Sequence, residues 1–398
     1  MKQVNSSTII SIGLAIFSML FGAGNLMYPI KVGIESGSYT FFGMLGFLTT
    51  SVCLPILGLI SMILFDGDYQ AFFLRIGRIP GNMLLGICMF IIGPGLVIPR
   101  IVTLSHLMTA PFLPFSFLQT ITPISSFIFS ILFLGITFLA TYKESKIIDL
   151  LGKIVSPLLL TSLCVIIVKG FLSAKEIVPT HATPLHLFSN NFIRGYETLD
   201  LLGAIFFASI VISLLKNSLA SKKDAHVLSQ HELAFIGLKS GIIGVFLLSI
   251  VYIGMAVLGM YHGHGLFHLN EGQLFSKVSF VVLGSHGAFI IGTAVFMACF
   301  STSIALSAVF AEYAQKTLFS NTISYSLALF ASLVASIPLS IFGLDKILAL
   351  TGGPIVYIGY PVLITLTICN LLYKTIGMSY IKIPILITFI GAFVVYFI

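Results

Sequence analysis

An all-α, polytopic membrane protein is the fold class this sequence predicts, and three observations predict it. Of 398 residues, 58% are hydrophobic and only 8% are charged, whereas a soluble domain carries roughly a quarter charged residues. Apolar runs of about twenty residues, each long enough to cross a bilayer as a helix, recur along the whole chain. Gly, Pro and charged clusters punctuate them, and no soluble domain fits between them.

Reading the runs against that punctuation gives about eleven transmembrane helices, at 8–32, 39–65, 82–109, 123–142, 147–171, 192–216, 233–260, 285–314, 322–342, 348–373 and 379–398. The first resembles a signal peptide, with Lys2, an apolar stretch and small residues at Gly22–Gly24. Its apolar character continues beyond Gly24, so an uncleaved helix is expected. With the amino terminus in the cytoplasm, thirteen Lys and Arg fall on that side and six outside, leaving Arg100 within a span. The excess of positive charge predicts a cytoplasmic amino terminus.

Two loops stand out. Residues 217–232 (NSLASKKDAHVLSQHE) read as a basic cytoplasmic connection. Residues 261–284 read as an outer loop with His262, His264 and His268, which lack the Cys or carboxylate partners of a metal site. Within it, Phe275–Leu283 is apolar but too short to span, as in a re-entrant or surface helix. Cys53, Cys88, Cys164, Cys299 and Cys369 are single and without a CxxC pair, so they read as small packing residues. The net charge of +7 is dispersed through loops, with no basic, aromatic-interleaved stripe for a nucleic-acid partner.

Polar groups inside spans are costly and point to function, and four places qualify. In FGAGNLMYPI (21–30), Gly22, Ala23 and Gly24 suit unwound backbone, with Asn25 and Pro29 beside them. Such a break frees N–H and C=O groups that lipid cannot satisfy; the half-helix after it offers amides to a carboxylate, the half before it carbonyls to a cation. In span six, Glu197 and Asp200 lie three apart in RGYETLD, bracketed by Gly195 and Gly203, so this helix is expected to break too. In span three, Arg100 follows GPGLVIP. Arg100 and Asp200 each lie about eight residues from an expected outer end, roughly 12 Å deep, which suggests a pairing of Arg100 with Asp200 or Glu197, either structural or gating. In span eight, the hydroxyls of Ser301, Thr302 and Ser303 either return to the preceding turn of backbone or join exposed carbonyls around a hard cation. Breaks five spans apart match two inverted repeats around a mid-membrane transport site.

At these residues the chain resembles the branched-chain amino acid transport system II carriers, the leucine-isoleucine-valine cation symporters. The resemblance rests on FGAGNLMYP, GPGLVIPR in span three, GYETLDLLGA in span six, ACFSTSIAL…AEYA in span eight and TGGPIVYIGYP in span ten, in order over nearly the whole chain. It implies a leucine-transporter-type 5+5 inverted repeat in one domain over 1–398, with 8–171 and 192–373 as the repeats and 379–398 as an extra helix. It implies substrate binding by Gly22, Ala23, Gly24, Asn25, Thr198, Asp200 and Gly203, and cation binding by Ala23, Asn25, Thr302 and Ser303. Phe206 and Phe207 are candidates for the apolar pocket.

The activity so implied is uptake of leucine, isoleucine or valine coupled to sodium, or to protons in some members, in a bacterial inner membrane. No other cofactor is implied; the partners are the amino acid and the bilayer, with the oligomeric state open. The family usually has twelve spans, and eleven place the carboxyl terminus outside. Another small solute on the same fold is the alternative. An intramembrane enzyme would need a catalytic set such as HExxH or GxSxG, which is absent, and a sensor would need an output domain.

Overall fold

The computed structural model describes residues 6–143, 146–174, 176–220, 230–284 and 287–397, so the centre of the basic loop expected at 217–232 lies outside the described residues. Among the described residues all regular structure is helical. The eleven spans are visible, although several are assembled from more than one helix.

Span one comprises α1 (Ser6–Leu20) and α2 (Ala23–Ser36), separated by Phe21 and an extended Gly22. Pro29 lies inside α2 and has no N–H, so the carbonyl of Asn25 loses its intrahelical partner. Span two is α3 (40–64), with a wide π turn at Thr49–Cys53. The short α4 (Tyr69–Leu74) leads into span three, made of α5 (Arg78–Phe90) and α6 (Val97–Thr109). Between them Gly93 leaves helical geometry next to Pro94. Spans four and five are α7 (Pro123–Thr141) and α8 (Ile147–Leu172).

Span six is α9 (Pro184–Arg194), a 3₁₀ turn at Gly195–Thr198, Leu199 with φ +62°, and α10 (Asp200–Ala220). It begins eight residues earlier than the sequence suggests. Thr183 caps the His186 amide at 3.4 Å and Pro184 occupies the first turn, a favourable start concealed by the polar Ser189, Asn190 and Asn191. Span seven is α11 (Gln230–His262). The apolar piece of the following loop is α12 (Glu271–Leu283), packed against α2 and α6. Spans eight and nine are α13 (Ala288–Leu318) and α14 (Tyr325–Ser340). Span ten is also interrupted: α15 (Leu344–Leu350) and α16 (Tyr360–Ile376) flank a wide turn with non-helical Gly353. Span eleven, α17 (Lys382–Phe397), buries no residue against the bundle.

Spans one and six each lean on a helix that crosses the break. Helix α11 packs along both α1 and α2, and α3 packs along both α9 and α10. Span seven thus supports span one as span two supports span six, the exchange that inverted repeats require.

The first of these contacts brings backbones together. A Cβ on Gly33 would lie 1.9 Å from the Ala256 carbonyl oxygen, and one on Gly259 would lie 2.1 Å from that of Ile30. Small residues permit such approach in membranes. Gly33→Ala is therefore expected to force α2 from α11 and to destabilise the protein by about 1–3 kcal/mol. A melting temperature in detergent equal to the parent's would show that the backbones do not touch.

Candidate functional site

The break in span one ends α1 with unpaired carbonyls and starts α2 with unpaired amides. Some find local partners. Gly22 N–H donates to the Leu20 carbonyl at 3.0 Å and lies 3.3 Å from Asn25 Oδ1, while Thr302 Oγ1 of span eight donates to the Met19 carbonyl at 3.1 Å. In span six, Thr50 Oγ1 donates to the Phe192 carbonyl at 2.8 Å and Thr198 Oγ1 to the Gly195 carbonyl at 2.9 Å. Arg100 Nη1 donates to the Glu197 carbonyl at 3.0 Å. Side chains from spans two, three and eight thus do the work that water would do outside a bilayer.

The two breaks meet through a buried carboxylate. Asp200, the first residue of α10, accepts from Asn25 Nδ2 at 3.0 and 2.9 Å on its two oxygens and from the Tyr252 hydroxyl at 2.7 Å. Asn25 Nδ2 also contacts that hydroxyl. Spans one, six and seven are thereby tied at one point. Its donors are neutral, and no salt bridge reaches Asp200 among the described residues.

Around this tie lies a small cavity of about 50 Å³. Gly22, Gly24, Asn25, Thr198, Asp200 and Gly203 line it, as do Arg100 and Thr302; Ala23 contributes the first backbone unit of α2. The remaining wall is mostly apolar and includes Ile92, Val97, Ile101, Leu104, Phe207 and Leu306. A small polar corner in an apolar chamber is the usual composition of a small-molecule site.

Four placements differ from the sequence-based expectation. Arg100 pairs with neither the Asp200 nor the Glu197 carboxylate; it bonds the Glu197 carbonyl and, at 2.9 Å, the Tyr28 hydroxyl. The inferred depth match used a start for span six that is eight residues too late, and Asp200 instead takes donors from spans one and seven. Glu197 faces a separate vestibule with Tyr28, Asn270 and Glu271. Ser303 is buried with its hydroxyl 3.4 Å from Thr137 of span four, and it does not line the cavity. Phe206 points away from the cavity and stacks on Phe73 of α4, ring centres 5.9 Å apart, with Tyr69 edge-on at 5.8 Å.

Tyr28 and Tyr252 are not among the candidates that the sequence singles out. Each is a tyrosine in an apolar run, and a buried hydroxyl needs a partner; that rule marks both positions but not which partner each finds. Arg100 and Tyr28 together separate the cavity from the vestibule. On the vestibule side, Lys31 reaches Glu271 and Arg194 reaches Glu35, with Arg194 Nη2 to Glu35 Oε1 at 3.2 Å. Of the loop histidines, His262 and His264 approach the Gly170 and Glu176 carbonyls at 2.8 and 3.2 Å. Among the described residues no three metal-ligating side chains gather.

The chain is similar to known transport proteins. The sequence profile of the family described as "Branched-chain amino acid transport protein" matches residues 5–397. The branched-chain amino acid permease BrnQ of Bacillus subtilis (strain 168) is 31% identical over 384 residues, 94% of this chain and 83% of the relative. The permease BraB of the same organism is 29% identical over 374 residues, 92% of this chain and 80% of the relative. Among solved structures, a sodium-coupled sialic acid symporter superposes with a TM-score of 0.60 at 12% identity, covering 98% of this chain and 88% of the other. The nucleobase-cation-symport-1 transporter MHP1 gives 0.57 at 13% identity, with 98% and 92% covered. At those identities the structures establish the fold, a multi-pass transporter bundle.

Tyr252→Phe removes one donor from a buried carboxylate. It is expected to cost about 1.5–3 kcal/mol, the worth of a hydrogen bond to a charged group, read as a lower melting temperature. A cycle of Tyr252→Phe with Asp200→Asn should show coupling of similar size; strict additivity would dissolve the tie.

Proposed function

The chain belongs to the branched-chain amino acid transport protein family, and from that premise we propose that it imports leucine, isoleucine and valine as a sodium-coupled symporter. The family is one of transport proteins rather than enzymes, and carriage across a membrane needs no bond to be made or broken. The observation that supports the reading most is the cavity itself: it sits where the breaks of spans one and six face each other, with apolar walls and a polar corner.

In this reading the amino acid's carboxylate meets the first-turn amides of α2 at Gly22, Ala23 and Gly24, where the helix presents partial positive charge. Its ammonium group lies toward Asp200, Asn25 and the Thr198 hydroxyl. The branched alkyl group fills the space beside Ile101, Leu104, Phe207 and Leu306. A chamber bounded by aliphatic side chains and one ring discriminates by shape, gaining about 0.8 kcal/mol for each buried methylene.

Sodium is a hard cation that takes oxygen ligands. The α1 carbonyls around Met19, the Thr302 hydroxyl beside them and the Asn25 carbonyl released by Pro29 offer neutral oxygens of that kind. Ser303, one residue on, would need its hydroxyl turned from Thr137 to join them. The count of basic residues supports a cytoplasmic amino terminus, which puts the vestibule outside and α4 inside. Transport then proceeds by alternating access, spans one and six moving against their supports.

Purified protein in vesicles should accumulate labelled leucine under an inward sodium gradient, with isoleucine and valine competing. Uptake driven equally by a proton gradient without sodium would remove the sodium assignment, and failure of the three amino acids to compete would remove the cargo. Thr302→Ala is expected to raise the sodium concentration for half-maximal uptake about tenfold, the scale of one lost charge-assisted bond, with a smaller effect on leucine KM at saturating sodium.

A further inference from the structure

Arg100 carries more than a role in separating cavity from vestibule. It is only 4% exposed, lies in the middle of a membrane bundle, and forms no salt bridge among the described residues. A buried guanidinium with no carboxylate in direct contact is unfavourable, although Glu197 and Asp200 act on it electrostatically across the site. Its present partners are neutral oxygens, the Glu197 carbonyl and the Tyr28 hydroxyl. They occupy one N–H on Nη1 and one on Nη2, and a guanidinium carries more donors than that.

Neither of those carboxylates forms a salt bridge with it among the described residues. Both Asp200 oxygens are taken by Asn25 and Tyr252, and Glu197 faces the vestibule.

A second observation places a missing anion. A Cβ built on Gly24 would lie 2.9 Å from Arg100 Nη2, so the guanidinium rests against the first turn of α2. That turn presents partial positive charge of its own. Two positive features side by side in a low-dielectric chamber repel one another unless an anion bridges them. A carboxylate fits both, accepting a charge-assisted fork from the guanidinium and backbone N–H groups from the helix.

We propose that Arg100 is the side chain that recognises the substrate's α-carboxylate, completing the amide cradle of α2 and making the carrier select amino acids over amines with the same alkyl group. The proposal deepens the transport reading and rests on it for the identity of the alkyl group. A methyl group at Gly24 would press on the guanidinium tip and oblige it to shift. The same side chain bonds Tyr28 of span one and the Glu197 carbonyl of span six, so the carboxylate is bound by the group that closes the cavity toward the vestibule.

The test is equilibrium binding to the purified full-length protein of leucine and of leucinol, in which a hydroxymethyl group replaces the carboxylate. The parent should prefer leucine by about a hundredfold, the worth of a bidentate charged contact. Arg100→Gln should weaken leucine at least about tenfold while leucinol changes less than about threefold, collapsing the preference. Arg100→Lys should restore part of it, since the charge remains and the fork is lost.

Gly24→Ala provides a route that keeps the charge: displacement of the guanidinium should narrow the same ratio. An Arg100→Gln protein that folds, as judged by size-exclusion elution, and keeps the parent's leucine-to-leucinol ratio overturns the proposal; if it does not fold, an unchanged ratio in Gly24→Ala does so. A parent that ignores leucine yet separates another amino acid from its amino alcohol refutes the branched-chain reading alone. A parent that binds no amino acid overturns both.

Discussion

A carboxylate held in the interior of a membrane protein by neutral donors is the contact on which this structure turns. Asp200 opens α10, and its two oxygens collect the Asn25 amide and the Tyr252 hydroxyl. Those residues belong to span one and to the helix that supports span one. Without the tie, the breaks at Gly22 and Leu199 would be independent defects, each exposing backbone that lipid cannot satisfy. With it they face a common space. Leu199 adopts φ +62°, a conformation costly for a residue with a branched side chain. It persists because Thr50, Thr198 and Arg100 take up the carbonyls around it.

The supporting helices explain how a broken span remains in register. Helix α11 contacts both halves of span one, and α3 contacts both halves of span six. At the first, Gly33 and Gly259 bring backbone against backbone, the close approach that van der Waals packing in lipid favours. Beyond the break, α2, α9 and α12 are linked by Lys31 to Glu271 and Arg194 to Glu35. These partly buried pairs stand on the vestibule side. Their effect is to make three short elements behave as one body.

Legibility in the sequence divided along physical lines. The class, the span count and the positions of the breaks in spans one and six follow from strong one-dimensional signals: apolar length, glycine clusters and charge inside spans. Gly22, Gly24, Asn25, Thr198, Asp200 and Gly203 come to one cavity because a break concentrates freed backbone and small residues in one short stretch. The start of span six was misread because Ser189, Asn190 and Asn191 make a helix look like a loop. That error of eight residues alone generated the expected pairing of Arg100 with Asp200. Which hydroxyl answers a buried carboxylate is a three-dimensional fact, and a sequence separation of 227 between Asn25 and Tyr252 leaves no trace in any local pattern. The Gly353 interruption in span ten had the same glycine and proline signal as span one, in TGGP, but no charged residue to draw notice.

The two closures of the cavity are unlike in chemistry. Toward the vestibule, the barrier is a charged side chain held by neutral oxygens: Arg100 on Tyr28 and on the Glu197 carbonyl. On the α4 side, behind the cavity wall, lies an aromatic cluster, Phe206 against Phe73 and Tyr69, with Tyr313 at 6.4 Å from Tyr69. Breaking the first gives up two hydrogen bonds; breaking the second gives up ring contacts of about 0.5–1.5 kcal/mol each. Both sums are a few kcal/mol, within what one bound ligand contributes by favouring one state over another. A carrier needs this balance, because a barrier much stronger than the ligand's differential affinity would never open, and a much weaker one would leak.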